Sequence, residues 1–288
     1  MGWVAAVARL RARREPGMLV TVATVRGHAP RRAGAKLVVG RTETWGSIGG
    51  GNIEAVAIDR ARELTAAADP EQEPELMEFA LNDKVTGPHG VQCCGGAVTV
   101  LLEPLPVVEA VAVFGVGHVG LELARILARH HIDLHLIDTR PDMLTGERLG
   151  VLADAVAQIR VHHTPLLPEE VLAELPPGAH VLIMTHDHAE DAALCDAALR
   201  TAGLGSIGLI GSSAKWARFR QRLATEGGHT PAAIDRIKTP IGIPGIAGKE
   251  PAVIAVSVAA DLLRTFEQDR RWSVPEAAAV PEAAAVPP

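Results

Sequence analysis

The chain has 288 residues, of which 48% are hydrophobic and 22% charged, and a formal net charge of −6. That length accommodates one large or two ordinary domains of a globular protein, and the acidic excess argues against non-specific nucleic-acid binding, because no surplus cations exist to displace counterions. No apolar run is long enough to span a bilayer, and Cys93, Cys94 and Cys195 are too few for a disulfide framework, so neither membrane nor oxidising compartment is expected.

Trp3, Val7 and Leu10 recur at helical spacing and predict a short opening helix. Arg9, Arg11, Arg13 and Arg14 follow the apolar residues rather than preceding them, the reverse of a secretory signal, which makes the cytoplasm the expected location. Met18–Val25 and Ala35–Val39 read as partner strands, with a Gly/Pro loop from Arg26 to Gly34 between them. Gly46-Ser-Ile-Gly49-Gly50-Gly51 leads into a helix from about Ile53 to Ala67. The polar stretch from Asp69 to Pro74 reads as solvent-facing loop, and Ala97–Leu102 as another strand. Pro104 and Pro106 suggest a boundary, since proline halts helix and strand alike.

Beyond that boundary, Val111-Ala-Val-Phe-Gly115-Val-Gly117-His118-Val-Gly120 is an apolar run that ends at glycine and restarts with helical periodicity. Its glycines have the G-x-G-x-x-G spacing of a phosphate-binding strand–turn–helix: Gly115 for the turn, Gly117 for close approach of an anion, Gly120 for helix–strand packing. The helix N-terminus adds free N–H groups and a positive dipole end. A second strand, Leu134–Asp138, places Asp138 about twenty residues on, where a ribose-binding acid belongs. Strands at Val181–Thr185 and Ser206–Ile210, with helices near Pro168–Glu174 and Glu190–Thr201, predict a parallel doubly wound sheet. A last helix is expected from Pro251 to about Phe266, and the duplicated Ala/Pro/Glu tail at 273–288 lacks the apolar bulk to offset its ordering entropy, so disorder is expected there.

Four further constellations could carry chemistry. Thr185-His186-Asp187-His188 follows a strand at its carboxyl end and is read first as a polar ligand-facing loop; metal ligation and simple helix capping by Asp187 are the alternatives. The metal reading fits poorly, since Glu190 and Asp191 stand where a His-x-His-x-Asp-His pattern needs Asp and His. Ser212 and Lys215 at the next strand end form either an anion site or an N-cap with a nearby cation. Gly49, Gly50 and Gly51 serve either close backbone approach to a ligand or a turn. Cys93 and Cys94 cannot chelate zinc as a C-x-x-C pair does, and are either inert thiols or thiolates able to take persulfide sulfur or touch a soft metal; Cys195, on a helix face, is expected in the core.

Taken in order, these motifs resemble the XdhC/CoxI family of xanthine dehydrogenase accessory proteins. Gly27-His-Ala-Pro30-Arg31 with Gly34-Ala-Lys36, Gly46–Gly51 with Glu54, Cys93-Cys-Gly-Gly96, Phe114–Gly120, Thr185–His188, Gly208-Leu-Ile-Gly-Ser212 and Pro240-Ile-Gly242 carry the resemblance, which runs from about Val20 to Phe266. It implies a small mixed α/β N-terminal domain over 1–105 and a Rossmann-like doubly wound parallel-sheet domain over 107–272. It also implies a non-catalytic role: binding molybdenum cofactor (molybdopterin), shielding it while a cysteine desulfurase supplies sulfur, and passing it to the molybdenum subunit of xanthine dehydrogenase or a related hydroxylase. A homodimer is the expected state. Under this reading Gly49, Gly50, Gly51, Cys93, Cys94, Gly115, Gly117, His118, Gly120, Asp138, His186, Asp187, His188, Ser212 and Lys215 hold the cofactor, possible nucleotide in the Rossmann cleft included, and no residue is catalytic or holds a resident metal. Asn52 stands where some members carry a cysteine, so any sulfur handling falls to Cys93 or Cys94. The loop Gly248–Ile254 lacks the family's usual threonine before the proline and glutamate before the isoleucine. The alternative function is an NAD(P)-dependent oxidoreductase built on the same glycine turn with Asp138, taking His186 or His188 as proton donor.

Overall fold

The computed structural model describes residues 1–67, 72–81, 86–87, 90–91 and 96–272. Cys93, Cys94 and the tail from Ser273 lie outside the described residues, as do residues 69–71 of the polar stretch. Two compact units divide the chain, one spanning Met1–Val107 with the residues from Glu267 on, the other Val108–Phe266.

In the first unit, α1 (Trp3–Arg13) precedes β1 (Gly17–Arg26), β2 (Lys36–Val39), β3 (Thr44–Gly46), α2 (Gly51–Ala67), β4 (Glu75–Leu81), a two-stranded ribbon of β5 (Thr86–Gly87) and β6 (Gly90–Val91), and β7 (Gly96–Leu105). The main sheet is antiparallel in the order β3-β2-β1-β7-β4. Helix α2 buries Ile53, Ala57, Ala61 and Leu64, one stripe at three- and four-residue spacing, against Val20, Leu37, Val100 and Leu102. On α1 the buried stripe is Ala6 and Leu10, packed with Val38, whereas Trp3 remains exposed with its ring beneath the Lys36 ammonium. The expected boundary segment Glu103–Pro106 overlaps the end of β7 and lies just before the division of the two units between Val107 and Val108. Opposite β7, β4 begins at Glu75 paired with Leu102, so Pro104 has a partner only on the β1 side and its missing N–H costs no ladder bond on the other.

The second unit runs β8 (Ala110–Phe114), α3 (His118–Leu127), β9 (Asp133–Asp138), α4 (Gly146–Leu149), β10 (Gln158–His163), α5 (Val171–Glu174), β11 (His180–Ile183), α6 (His188–Arg200), β12 (Ser206–Leu209), α7 (Ser213–Thr225), α8 (Pro231–Ile234), β13 (Ile237–Lys238) and α9 (Pro251–Trp272) through Phe266, the last turns of α9 counting with the first unit. All pairs are parallel, and the order β10-β9-β8-β11-β12-β13 is the 3-2-1-4-5-6 arrangement of a Rossmann sheet. Both faces are covered, as the continuous apolar runs require. Val111 and Val113 of β8 pack with Leu123, Leu127, Val258 and Leu262 of α3 and α9. Ala112 and Phe114, on the other face, pack with Leu194, Ala198, Phe219 and Leu223 of α6 and α7. The strand order reverses between β8 and β11, and a crevice is expected beyond their carboxyl ends.

Candidate functional site

Each glycine of the β8–α3 turn has a distinct geometric task. Gly115 has φ +100°, and a Cβ there would lie 2.4 Å from the Met184 carbonyl oxygen and 2.7 Å from the Thr185 Cα, so the turn closes against the end of β11. A Cβ on Gly120 would fall 2.1 Å from the Gly115 carbonyl oxygen, which is the tight helix–strand packing expected of it. Gly117, at the start of α3 with no side-chain cap, leaves open space: the nearest atom to its built Cβ is Nη2 of Arg140 at 4.0 Å. His118 opens the helix and is exposed.

Asp138 points at this turn but is not free to hold a ribose. It is 3% exposed. Its Oδ2 accepts the Val116 N–H at 2.7 Å and Arg140 Nη2 at 3.0 Å, and its Oδ1 accepts Arg140 N–H and Nε at 3.0 and 2.9 Å. Burial alone would raise its pKa, but the Arg140 fork and the two backbone donors outweigh it and hold the carboxyl below its usual range. The acid is therefore a strut that fixes the turn and aims Arg140 at it. Arg148 approaches from α4, donating Nη2 to the Val116 carbonyl at 3.2 Å, while its buried Nε has no partner.

Across the switch point, Thr185-His186-Asp187-His188 forms the β11–α6 junction. Asp187 is the N-cap of α6, accepting from Ala189 and Glu190 N–H groups, which lower its pKa. His186 and His188 are exposed, His188 edge-on to Phe219 at 6.4 Å. The capping task expected as an alternative is thus performed, and it leaves the histidines presented to solvent. Beside them a cleft of about 400 Å³ is lined by Thr139, Leu166, Pro168, His186, Asp187 and Glu190. Burial first, then the Asp138 and Asp191 charges, push the Glu190 carboxyl up, against the pull of Thr139, which donates to it at 3.3 Å, and of His186.

Ser212 caps α7, accepting the Lys215 N–H at 3.3 Å. Lys215 itself does not reach toward an anion. Its ammonium is buried, ion-paired with Asp191 and donating to the Ile210 carbonyl at 3.0 Å. Asp191 also accepts the Thr185 N–H at 3.1 Å and hydroxyl at 2.8 Å, so one buried carboxylate ties β11 to α7. Cys195, one turn along α6, is buried, and burial followed by the Asp191 charge pushes its thiol up to about 12. Among the described residues no three His, Cys, Asp or Glu side chains are grouped to hold a metal ion, and no helix is long and apolar enough to cross a membrane.

In the first unit, several donors of the Gly46–Gly51 turn are used within the chain, as the turn alternative expects. Glu54 folds back from α2, its Oε2 accepting the Ile48 N–H at 2.9 Å, the Gly50 N–H at 3.0 Å and the Ser47 hydroxyl at 2.6 Å; Gly49 N–H donates to Ser47 Oγ at 3.1 Å. Gly49 is glycine because Pro30 sits on it, 2.5 Å from where a Cβ would be. Gly50 and Gly51 both adopt positive φ. The close backbone approach read from this glycine cluster is that of the chain to itself.

The structure thus gathers Gly115, Gly117, His118, Gly120 and Asp138 at one turn and His186 and Asp187 at the neighbouring strand end. It diverts Lys215 into an ion pair, and places Gly49, Gly50 and Gly51 in the other unit. Arg140, Arg148 and Thr139 went unread in the sequence, although an arginine two residues after the strand-end acid is a legible signal for an anion.

Two family models match the chain. The model of the XdhC Rossmann domain matches residues 111–262, and that of the XdhC and CoxI family matches residues 10–79. An uncharacterized protein of Escherichia coli (strain K12), YqeB, is 25% identical over 257 residues, covering 89% of this chain and 45% of that one, so the chain spans about half the length of the curated relative it matches. A solved structure described as a xanthine dehydrogenase from Bacillus halodurans is similar at 19% identity and a TM-score of 0.47, covering 98% of both chains. With the Rossmann model alone matching more than half of its length, the chain belongs to the XdhC and CoxI family.

Proposed function

We propose that this protein acts in the maturation of xanthine dehydrogenase or a related molybdenum hydroxylase as an accessory protein that binds molybdenum cofactor as cargo, shields it during sulfuration and hands it on. The observation that carries this reading is the state of Asp138. A nicotinamide-dependent dehydrogenase needs that acid free to accept ribose hydroxyls, whereas here both oxygens are taken by Arg140 and the Val116 N–H. What remains at the turn suits a phosphate rather than a diol: the open face of Gly117, the start of α3, the Arg140 guanidinium beside it and the partnerless Nε of Arg148. Molybdopterin carries such a phosphate, alone or as part of a nucleotide.

In this reading Gly115, Gly117 and Gly120 seat the phosphate with Arg140, and His118, His186, Asp187 and His188 border it as polar contacts. Ser212 caps the adjoining helix, and Lys215 acts through Asp191 as a positioning residue. Cys93 and Cys94 retain the cofactor or relay sulfur from a cysteine desulfurase. The protein works as a homodimer in the cytoplasm. The test is direct: protein purified from a molybdenum-replete host should carry molybdenum and pterin and should activate an apo-hydroxylase, while binding no NAD(P). A Cys93→Ser/Cys94→Ser variant should keep its fold and lose transfer of sulfurated cofactor. Tight NAD(P) binding with hydride transfer, and no pterin, would overturn the proposal.

A further inference from the structure

The loop between β1 and β2 carries Arg26, His28, Arg31 and Arg32 and no acidic residue through Ala35. All four side chains are exposed, and none has an ion pair or side-chain hydrogen bond among the described residues. Several other cations of this unit are matched: Arg9 and Arg13 meet Glu43, Arg60 meets Glu75, and Lys36 donates to Thr21. The loop is also not a loose tether. Gly96 lies under its near end, where a Cβ would be 2.2 Å from the His28 carbonyl oxygen and 2.6 Å from that of Arg26. Gly49 lies under its middle, against Pro30. At its far end Gly34 N–H donates to the Val22 carbonyl at 2.8 Å and Val22 N–H to the Ala35 carbonyl at 2.9 Å, beside the bulge where β1 shifts register. Three anchor points fix the backbone while the guanidiniums stay unspent.

Uncompensated arginines on a fixed backbone concentrate positive charge without a cost for ordering the loop itself, and a guanidinium fork matches the oxygens of a phosphate bidentately. At the neighbouring glycine turn the Ile48 and Gly50 N–H groups are already taken by Glu54. We infer that Arg31 and Arg32, supported by Arg26 and His28, form a phosphate-binding site of the first unit for a phosphate ester or diphosphate of a small molecule. This site belongs to the first unit, whereas the Gly115–Gly120 turn belongs to the second, and it stands independently of the identity of the cargo.

The test uses the full chain and inorganic pyrophosphate, followed by titration calorimetry at low and at physiological salt. An Arg31→Gln/Arg32→Gln variant should keep its circular dichroism spectrum and thermal midpoint and lose one binding event, weakening it by about tenfold or more, as expected for lost charge-assisted hydrogen bonds. An Arg140→Gln variant should retain that event, and added salt should weaken it in the wild type. Pyrophosphate binding unchanged in the double glutamine variant would overturn the inference, as would loss of a hydroxylase partner with pyrophosphate binding intact. Failure of the cofactor reading would register separately, as absence of pterin from the wild-type protein.

Discussion

The Glu54 carboxylate accepts the Gly50 N–H at 3.0 Å, so the glycine-rich turn of the first unit encloses an anion that the chain itself supplies. Burial works to raise the pKa of this group, but the Ser47 hydroxyl and the N–H groups of Gly50, Ile48 and Gly49 prevail and lower it. A carboxyl depressed on folding stabilises the native state fully above its unfolded value, near 4.5, and loses that contribution as pH falls through the lower folded value. A Glu54→Gln variant should therefore be less stable near neutrality, by on the order of 1 kcal/mol, and should show a flatter acid limb between pH 5 and pH 3 on the order expected from linkage. Urea titrations across that range check it, and an acid limb as steep as the wild type's would count against the arrangement.

The three glycines of the β8–α3 turn should separate cleanly. Gly120→Ala forces a methyl to 2.1 Å from the Gly115 carbonyl oxygen and should cost about 3 kcal/mol or more. Gly117→Ala meets nothing nearer than 4.0 Å and should cost within about 1 kcal/mol, as a change at a helix start does. If the proposed cofactor reading holds, pterin retention should nevertheless fall in Gly117→Ala, because the added methyl occupies the face that reading assigns to the phosphate. Chemical denaturation paired with pterin analysis distinguishes packing from ligand approach.

Lys215→Met removes the partner of a carboxylate with no solvent exposure. The expected loss is about 3–5 kcal/mol, the range for stranding a buried charge. Combining it with Asp191→Leu should recover only part of that, since the Thr185 N–H and hydroxyl then lose their acceptor. Equal stability of wild type and Lys215→Met would mean that the ammonium is not spent on Asp191.

Thiol chemistry should be silent at Cys195. With its pKa pushed to about 12 and its side chain buried, a Cys93→Ser/Cys94→Ser protein should show no reactive thiol toward a disulfide reagent at pH 8 until denaturant is added. Rapid native-state labelling would show that α6 opens.

Much of the second unit was legible because its signals are local. The β8 run, the positive-φ glycine after it and the restart of helical periodicity lie within a dozen or so residues of one another, a span that strand–turn–helix chemistry dictates. What escaped depends on distant partners. β10 has a mixed, partly exposed pattern because it is an edge strand, paired only with β9, so periodicity gave no apolar run to read. β3 is three residues long, and β4 alternates on a half-exposed edge. At the candidate site, residue types were identified but not their occupations. Nothing near Lys215 in sequence announces Asp191, a helix away, and nothing near Asp138 says whether its oxygens face a ligand or an arginine two residues on. Side chains with one chemistry and two possible partners are where linear reading stops.

The central place of β8 has a consequence for biosynthesis. Its residues are buried on both faces, and it is the first strand of its sheet to be made, yet its partners β9 and β11 flank it from opposite sides. β9 follows after a single helix, but β11 emerges only after β10 and the segments around it. Until then a fully apolar strand has one hydrogen-bonding edge unpaired, the configuration most open to pairing with a foreign strand. Ribosome-bound chains that end short of β11 are accordingly the stage at which this protein most needs protection from aggregation.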